Sequence, residues 1–171
     1  MQSKLVGILY LAIIVLIVIL AYLGFYSPTT NTNNSDDGAN EKNVYLYYYN
    51  SEKDKDQSGN VQCSRAGLEP VERAISSDNL IIDTVKLLIK GELSQSERAK
   101  GITTEYPLPG FELGDLKLDN GVLTLSFNDP QNKSVGGSCR VGILWFQIEA
   151  TVKQFPEVKS VKFMPEEIFQ P

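Results

Sequence analysis

The chain has 171 residues, 42% of them apolar, a formal charge of −5 and no histidine. That length suits one ordinary domain, since domains commonly run to about 100–150 residues. The acidic balance lacks the clustered Lys and Arg that nucleic acid requires, and the missing histidine removes the commonest general base and metal ligand, so no cofactor or metal site is expected.

The first element is "LVGILYLAIIVLIVILAYLGFY", residues 5–26, uncharged throughout. About 20 such residues cross a bilayer as a helix. A cleaved signal peptide would carry an apolar run of roughly 7–15 residues and a small-x-small cleavage site. Neither is present, so the run predicts an uncleaved signal anchor. Lys4 precedes it, whereas "SPTTNTNNSDDGANE" after it has no Lys or Arg. Positive charge stays inside, which puts residues 1–4 in the cytoplasm and everything after the anchor outside. No cysteine directly follows the run, which excludes lipid attachment there. Residues 27–43 are Ser, Thr, Asn and Asp with little to bury, and predict a flexible linker. The expectation is a single-pass cell-membrane protein with an extracytoplasmic domain over residues 44–171.

That domain opens on "VYLYYYN", an alternating strand with Val44, Leu46 and Tyr48 on one side and Tyr45, Tyr47 and Tyr49 on the other. The charged "SEKDKDQSGN" reads as a loop. "LEPVERAI" predicts a second strand, with Pro70 placing it at an edge or near a strand start. "SSDNLIIDTVKLLIKG" predicts a helix capped by Ser76 or Ser77 and stopped at Gly91. "ELSQSERAKGITTEYPLPG" reads as a long polar connection. "LKLDNGVLTLSFND" then places two alternating runs across Asn120-Gly121, the signature of a hairpin with a type I′ turn.

"SCRVGILWFQIEATVKQFP" predicts a second helix, with Val141, Leu144, Trp145, Ile148, Val152 and Phe155 in one apolar stripe. Ile143, Phe146 and Ala150 widen that stripe. They form a candidate contact patch unless the sheet curls enough to cover them. "EVKSVKF" supplies a last strand with Val161 and Phe163 on one face. The expected fold class is α+β: a small mixed or antiparallel sheet with two helices packed on one face, preceded by one transmembrane helix.

The chain has two cysteines, Cys63 and Cys139. No histidine stands by to generate a thiolate, and two distant cysteines make a poor zinc site. Two readings remain, separate buried thiols or one disulfide; an oxidising exterior and an even count favour the disulfide. Glu97, Glu105, Asp115, Asp119 and Asp129 are scattered through loops and turns. A carboxylate hydrolase would need two of them to face each other, with Glu97 and Glu105 the nearest candidates. The row Tyr45, Tyr47, Tyr49 either covers a half-buried sheet face or offers a stacking platform for a sugar or peptide.

The order of these pieces resembles the GerMN domain, the sporulation and spore-germination GerM type. The resemblance rests on "VYLYYYN", on "LEPVERAI" against Leu-x-Pro-Val-x-Arg-x-Ile, and on "KLLIKG". It continues through the Pro-Gly loop of "SERAKGITTEYPLPGFEL", the Asn-Gly hairpin and the closing "TVKQFPEVKSVKF". "QC" and "GSCRV" are similar to a cysteine pair in a subset of these domains. The pattern departs after the first helix, where Glu92 follows Gly91 in place of the proline often found there. The resemblance implies a non-enzymatic module of the bacterial envelope that acts through protein partners or self-association, with no catalytic residues to carry over. The alternative class is a cell-wall or small-ligand binding module.

Overall fold

A computed structural model of the chain describes residues 41–170. The predicted anchor at residues 5–26 and most of the predicted linker lie outside them. Among the described residues no helix is long and apolar enough to cross a membrane.

The first two strands, β1 (Lys42–Tyr49) and β2 (Leu68–Ile75), pair antiparallel from Lys42↔Ile75 to Tyr49↔Leu68. Pro70 has no N–H to give, and it sits on β2, which has β1 as its sole strand neighbour in this two-stranded sheet. The intervening segment carries two 3-10 turns, Ser51–Asp54 and Arg65–Gly67. Helix α1 (Leu80–Ile89) follows. Ser77 receives the Asn79 N–H at 2.9 Å just ahead of it, while the N-cap residue itself, Asn79, makes no side-chain cap bond. Gly91 ends the helix at φ +65°, and a Cβ there would stand 1.8 Å from the Tyr106 carbonyl oxygen. Glycine is required at this position both by backbone conformation and by the close approach of another chain segment.

The sequence predicted an unbroken polar connection next. The structure instead forms a short helix, α2 (Gln95–Ala99), inside it. Its signal is the capping box of Ser94 and Glu97: the Ser94 hydroxyl receives the Glu97 N–H, and the Glu97 carboxylate receives the Ser94 N–H at 2.7 Å. Strands β3 (Glu112–Asp119) and β4 (Val122–Asn128) then form the expected hairpin. Asn120 at φ +49° and Gly121 at φ +84° make its two-residue turn, with Asp119 opposite Val122. Positive φ at both central positions is what a type I′ turn demands.

Helix α3 (Ser138–Val152) leads to β5 (Ser160–Met164), which pairs parallel to β4 with Leu123 against Val161 and Leu125 against Phe163. The result is α+β, but among the described residues it has five strands in two sheets, β1-β2 and β3-β4-β5, and three α-helices. The single sheet with two helices is corrected on both counts. Both sheets contribute to one apolar core: Val44, Leu46 and Tyr48 from β1, Val85 and Leu88 from α1, Leu123 and Leu125 from β4, and Leu144, Ile148 and Val152 from α3.

The α3 stripe is also corrected. Val141, Leu144, Ile148, Val152 and Phe155 are buried as expected, but Trp145 is 38% exposed and Gln147 is fully buried in its stead. The buried arc is rotated because the far side of α3 meets β1. There Thr151 receives the Tyr47 N–H at 2.9 Å, and just past the helix Gln154 exchanges two hydrogen bonds with the Tyr45 backbone at 2.8 Å each. These side chains occupy the edge of β1 that no strand covers.

Candidate interaction surface

The segment after β1 is organised by buried Asp54. It accepts hydrogen bonds from the Tyr49 hydroxyl, the Ser64 hydroxyl and the Ser64 N–H. Burial pushes its pKa up, but the Ser64 and Tyr49 hydrogen bonds outweigh this and leave it below the usual aspartate value. Burial, reinforced by the bond to Asp54, raises the Tyr49 phenol. A second aspartate, Asp56, receives the N–H groups of Ser58 and Asn60, closing the loop tip. Together they present Cys63, at φ +51°, to Cys139 in the first turn of α3. The structure joins the two in a disulfide with Cα atoms 5.2 Å apart. Cys63 is half-buried and Cys139 exposed.

This corner covers part of α3. The Arg65 guanidinium lies 4.0 Å from the Phe146 ring centroid and pairs with Glu149, which Lys153 also reaches at 2.8 Å. A cation over an aromatic face is attractive, so the ring has a charged lid. Of the candidate patch, Ile143, Phe146 and Ala150 are all half-buried. The most exposed large apolar side chain of the helix is Trp145, whose ring meets Phe163 edge-on with centroids 5.6 Å apart.

The tyrosine row divides. Tyr49 is buried on Asp54, Tyr47 is half-buried, and Tyr45 is 44% exposed. The row therefore offers one open ring instead of a platform of three. The acidic residues also disperse. Glu97 takes a two-pronged ion pair from Arg73 at 2.8 and 2.9 Å, which pulls its pKa down to about 2. A carboxylate held that low carries no proton to donate near neutrality. Glu105 ends on a different arginine, Arg140. Asp129 receives the N–H groups of Lys133 and Ser134 and ties a turn. Asp115 and Asp119 lie along β3. Among the described residues, no group of three or more His, Cys, Asp or Glu is placed to hold a metal ion.

What sequence reasoning missed is the outer edge of β5. A cleft of about 300 Å³ runs beside it, lined by Trp145, Val161, Lys162, Phe163, Met164 and Glu166 among others. Val161 and Phe163 belong to the core face of the sheet, since they stand opposite Leu123 and Leu125, while Lys162 and Met164 belong to the other face. Side chains of both faces line one cleft because it follows the strand's edge. The sequence held one signal of this, the alternation of "SVKFM", but nothing in it says which edge of β5 is left free.

Among solved structures, the chain is similar to the tandem GerMN domains of the sporulation protein GerM from Bacillus subtilis, at 21% identity with a TM-score of 0.49. That likeness covers 74% of this chain, which spans 40% of the GerM chain. It is also similar to a Clostridium perfringens protein described as a lipoprotein, at 16% identity and a TM-score of 0.37, covering 74% of this chain and 76% of the other. No curated protein matches the sequence. The family match is the decisive comparison: it runs over residues 45–167. With most of β1, all of β2, the Asn-Gly hairpin, helices α1 to α3 and β5 inside that span, the chain belongs to the Germane family, described as sporulation and spore germination.

Proposed function

We propose that this is a membrane-tethered, extracytoplasmic interaction module that holds protein partners together at the bacterial envelope during sporulation or germination. The observation that carries the interaction reading is the free edge of β5, flanked by exposed Trp145 and Met164, 38% and 40% accessible. Exposed aromatic and methionine side chains beside an unpaired strand are the anchors by which proteins bind proteins. Glu97 and Glu105, the nearest pair for a carboxylate hydrolase, are held by two different arginines, Arg73 and Arg140. The family supports the sporulation setting, and the uncharged run at residues 5–26 supports the tether.

The test is photo-crosslinking in membranes, with benzoylphenylalanine placed singly at Trp145, Tyr45 and Lys117 in the full chain. The expected result is a discrete higher-mass adduct from at least one position. Monomer alone from all three would overturn the proposal.

A further inference from the structure

The other sheet edges are all occupied or interrupted. Gln154 and Thr151 hydrogen-bond the outer edge of β1. Pro70 breaks the donor row of β2. On β3 the register slips between Leu113 and Asp115, and the Asp115 carboxylate takes the Leu116 N–H at 2.8 Å. Bulges, prolines and charges folded onto the backbone are how proteins keep edges from recruiting strands. On β5 no hydrogen bond from the described residues reaches the backbone of Val161, Lys162, Phe163 or Met164 from outside, and the cleft lies alongside.

We infer that β5 is a strand-addition site for an extended peptide of a partner protein, one that carries an acidic residue between two apolar ones. This deepens the interaction reading above and rests on it. The pattern follows from the pleat. A residue of the added strand level with Lys162 shares the open face of the sheet with its ammonium, whereas the two neighbouring residues turn to the Trp145–Phe163 side. Among the described residues no salt bridge engages Lys162 or Lys159, which precedes the strand. The Lys162 ammonium, on the open face, is therefore free to meet an incoming carboxylate, whereas the Lys159 side chain lies over Gly121.

A second copy of this chain is the wrong occupant. Antiparallel self-pairing centred on β5 would set Lys162 directly opposite Lys162 of the other copy, and like charges facing each other across a ladder repel. The same lysine that discourages self-association selects an acidic strand. Main-chain hydrogen bonds would supply affinity and the alternating side chains specificity, as in other strand-addition sites.

The experiment is selection of a random seven-residue peptide library, displayed on phage, against the full chain and against Lys162→Glu. The strongest synthetic peptide is then measured by fluorescence polarisation, with alternate amides N-methylated in turn. Enriched peptides should alternate, with Asp or Glu between apolar residues, and should bind Lys162→Glu at least tenfold more weakly. Methylating the amides on one edge of the peptide should abolish binding, and methylating those on the other should leave it intact. No enrichment, enrichment indifferent to the charge at Lys162, or equal tolerance of methylation on both edges would each overturn the inference. Crosslinks from Tyr45 or Lys117 alongside such a failure would leave the interaction module standing and remove only the strand site.

Discussion

Reducing the disulfide tests the structural reasoning most directly. The bridge closes a loop of sequence separation 76 between the Asp54 corner and α3. In the chain-entropy account, ΔS of about −2.1 − 1.5R ln n cal/mol/K gives about 4.5 kcal/mol at 25 °C for a loop of that size. Cys139 is exposed and Cys63 only half-buried, so replacing both by serine sacrifices little packing. The loss therefore acts on the unfolded chain, which gains freedom, and leaves the native state almost untouched. With an unfolding entropy of about 2.1 cal/mol/K per residue over a domain of roughly 130 residues, the melting temperature should fall by about 15 °C. The assay is thermal and urea unfolding of the domain, oxidised, reduced, and as the Cys63→Ser/Cys139→Ser variant. Near-UV circular dichroism at low temperature should be unchanged, and the urea m-value should rise as the released chain exposes more surface. A reduced protein melting within about 3 °C of the oxidised one would refute the account. So would two free thiols titrated in the protein as isolated without reductant.

Further outcomes follow from single residues. Gly91→Ala combines a left-handed backbone with a Cβ set against the Tyr106 carbonyl, and should cost about 3 kcal/mol or more in urea unfolding; a change below about 1 kcal/mol would show that the Tyr106 segment yields freely. Glu97 sits at about 2, below its ordinary 4.5, so the stability it lends is fully present above about pH 4.5 and drains away as pH falls toward 2. Urea midpoints of Glu97→Gln should accordingly vary less with pH over that window than those of the parent, and parallel curves would contradict the Arg73 pairing. Tyr49→Phe removes one donor from buried Asp54 and should destabilise by about 1.5–3 kcal/mol, the range for hydrogen bonds to charged groups. Externally added protease should degrade the domain in intact cells, and a domain that survives until lysis would refute its extracytoplasmic placement.

Local chemistry was legible where it is decided over a few residues. Asn120-Gly121 announces its hairpin because few other pairs adopt two successive positive φ angles without strain, and "LEPVERAI" reads as an edge strand because Pro70 cannot donate. The short helix at Gln95–Ala99 was legible too, in the Ser94–Glu97 capping box, but a run without apolar periodicity hid it. Gln147 and Trp145 mark the limit of periodicity: the stripe is right about the helix and wrong about one step of its facing, because which arc is buried depends on what lies across it.

The sequence by itself determined the strands, the two longer helices, the stop at Gly91 and the Asn-Gly turn, since each is set by backbone preferences and by spacing along a single segment. Only the tertiary structure decided that five strands divide into two sheets, that Glu97 and Glu105 go to separate arginines, and that Cys63 faces Cys139. The same holds for the edge of β5 that no described residue hydrogen-bonds. Each of these is a meeting between residues far apart in the chain, and their distance is fixed by the packing of one shared core, not by any pattern that a single segment carries.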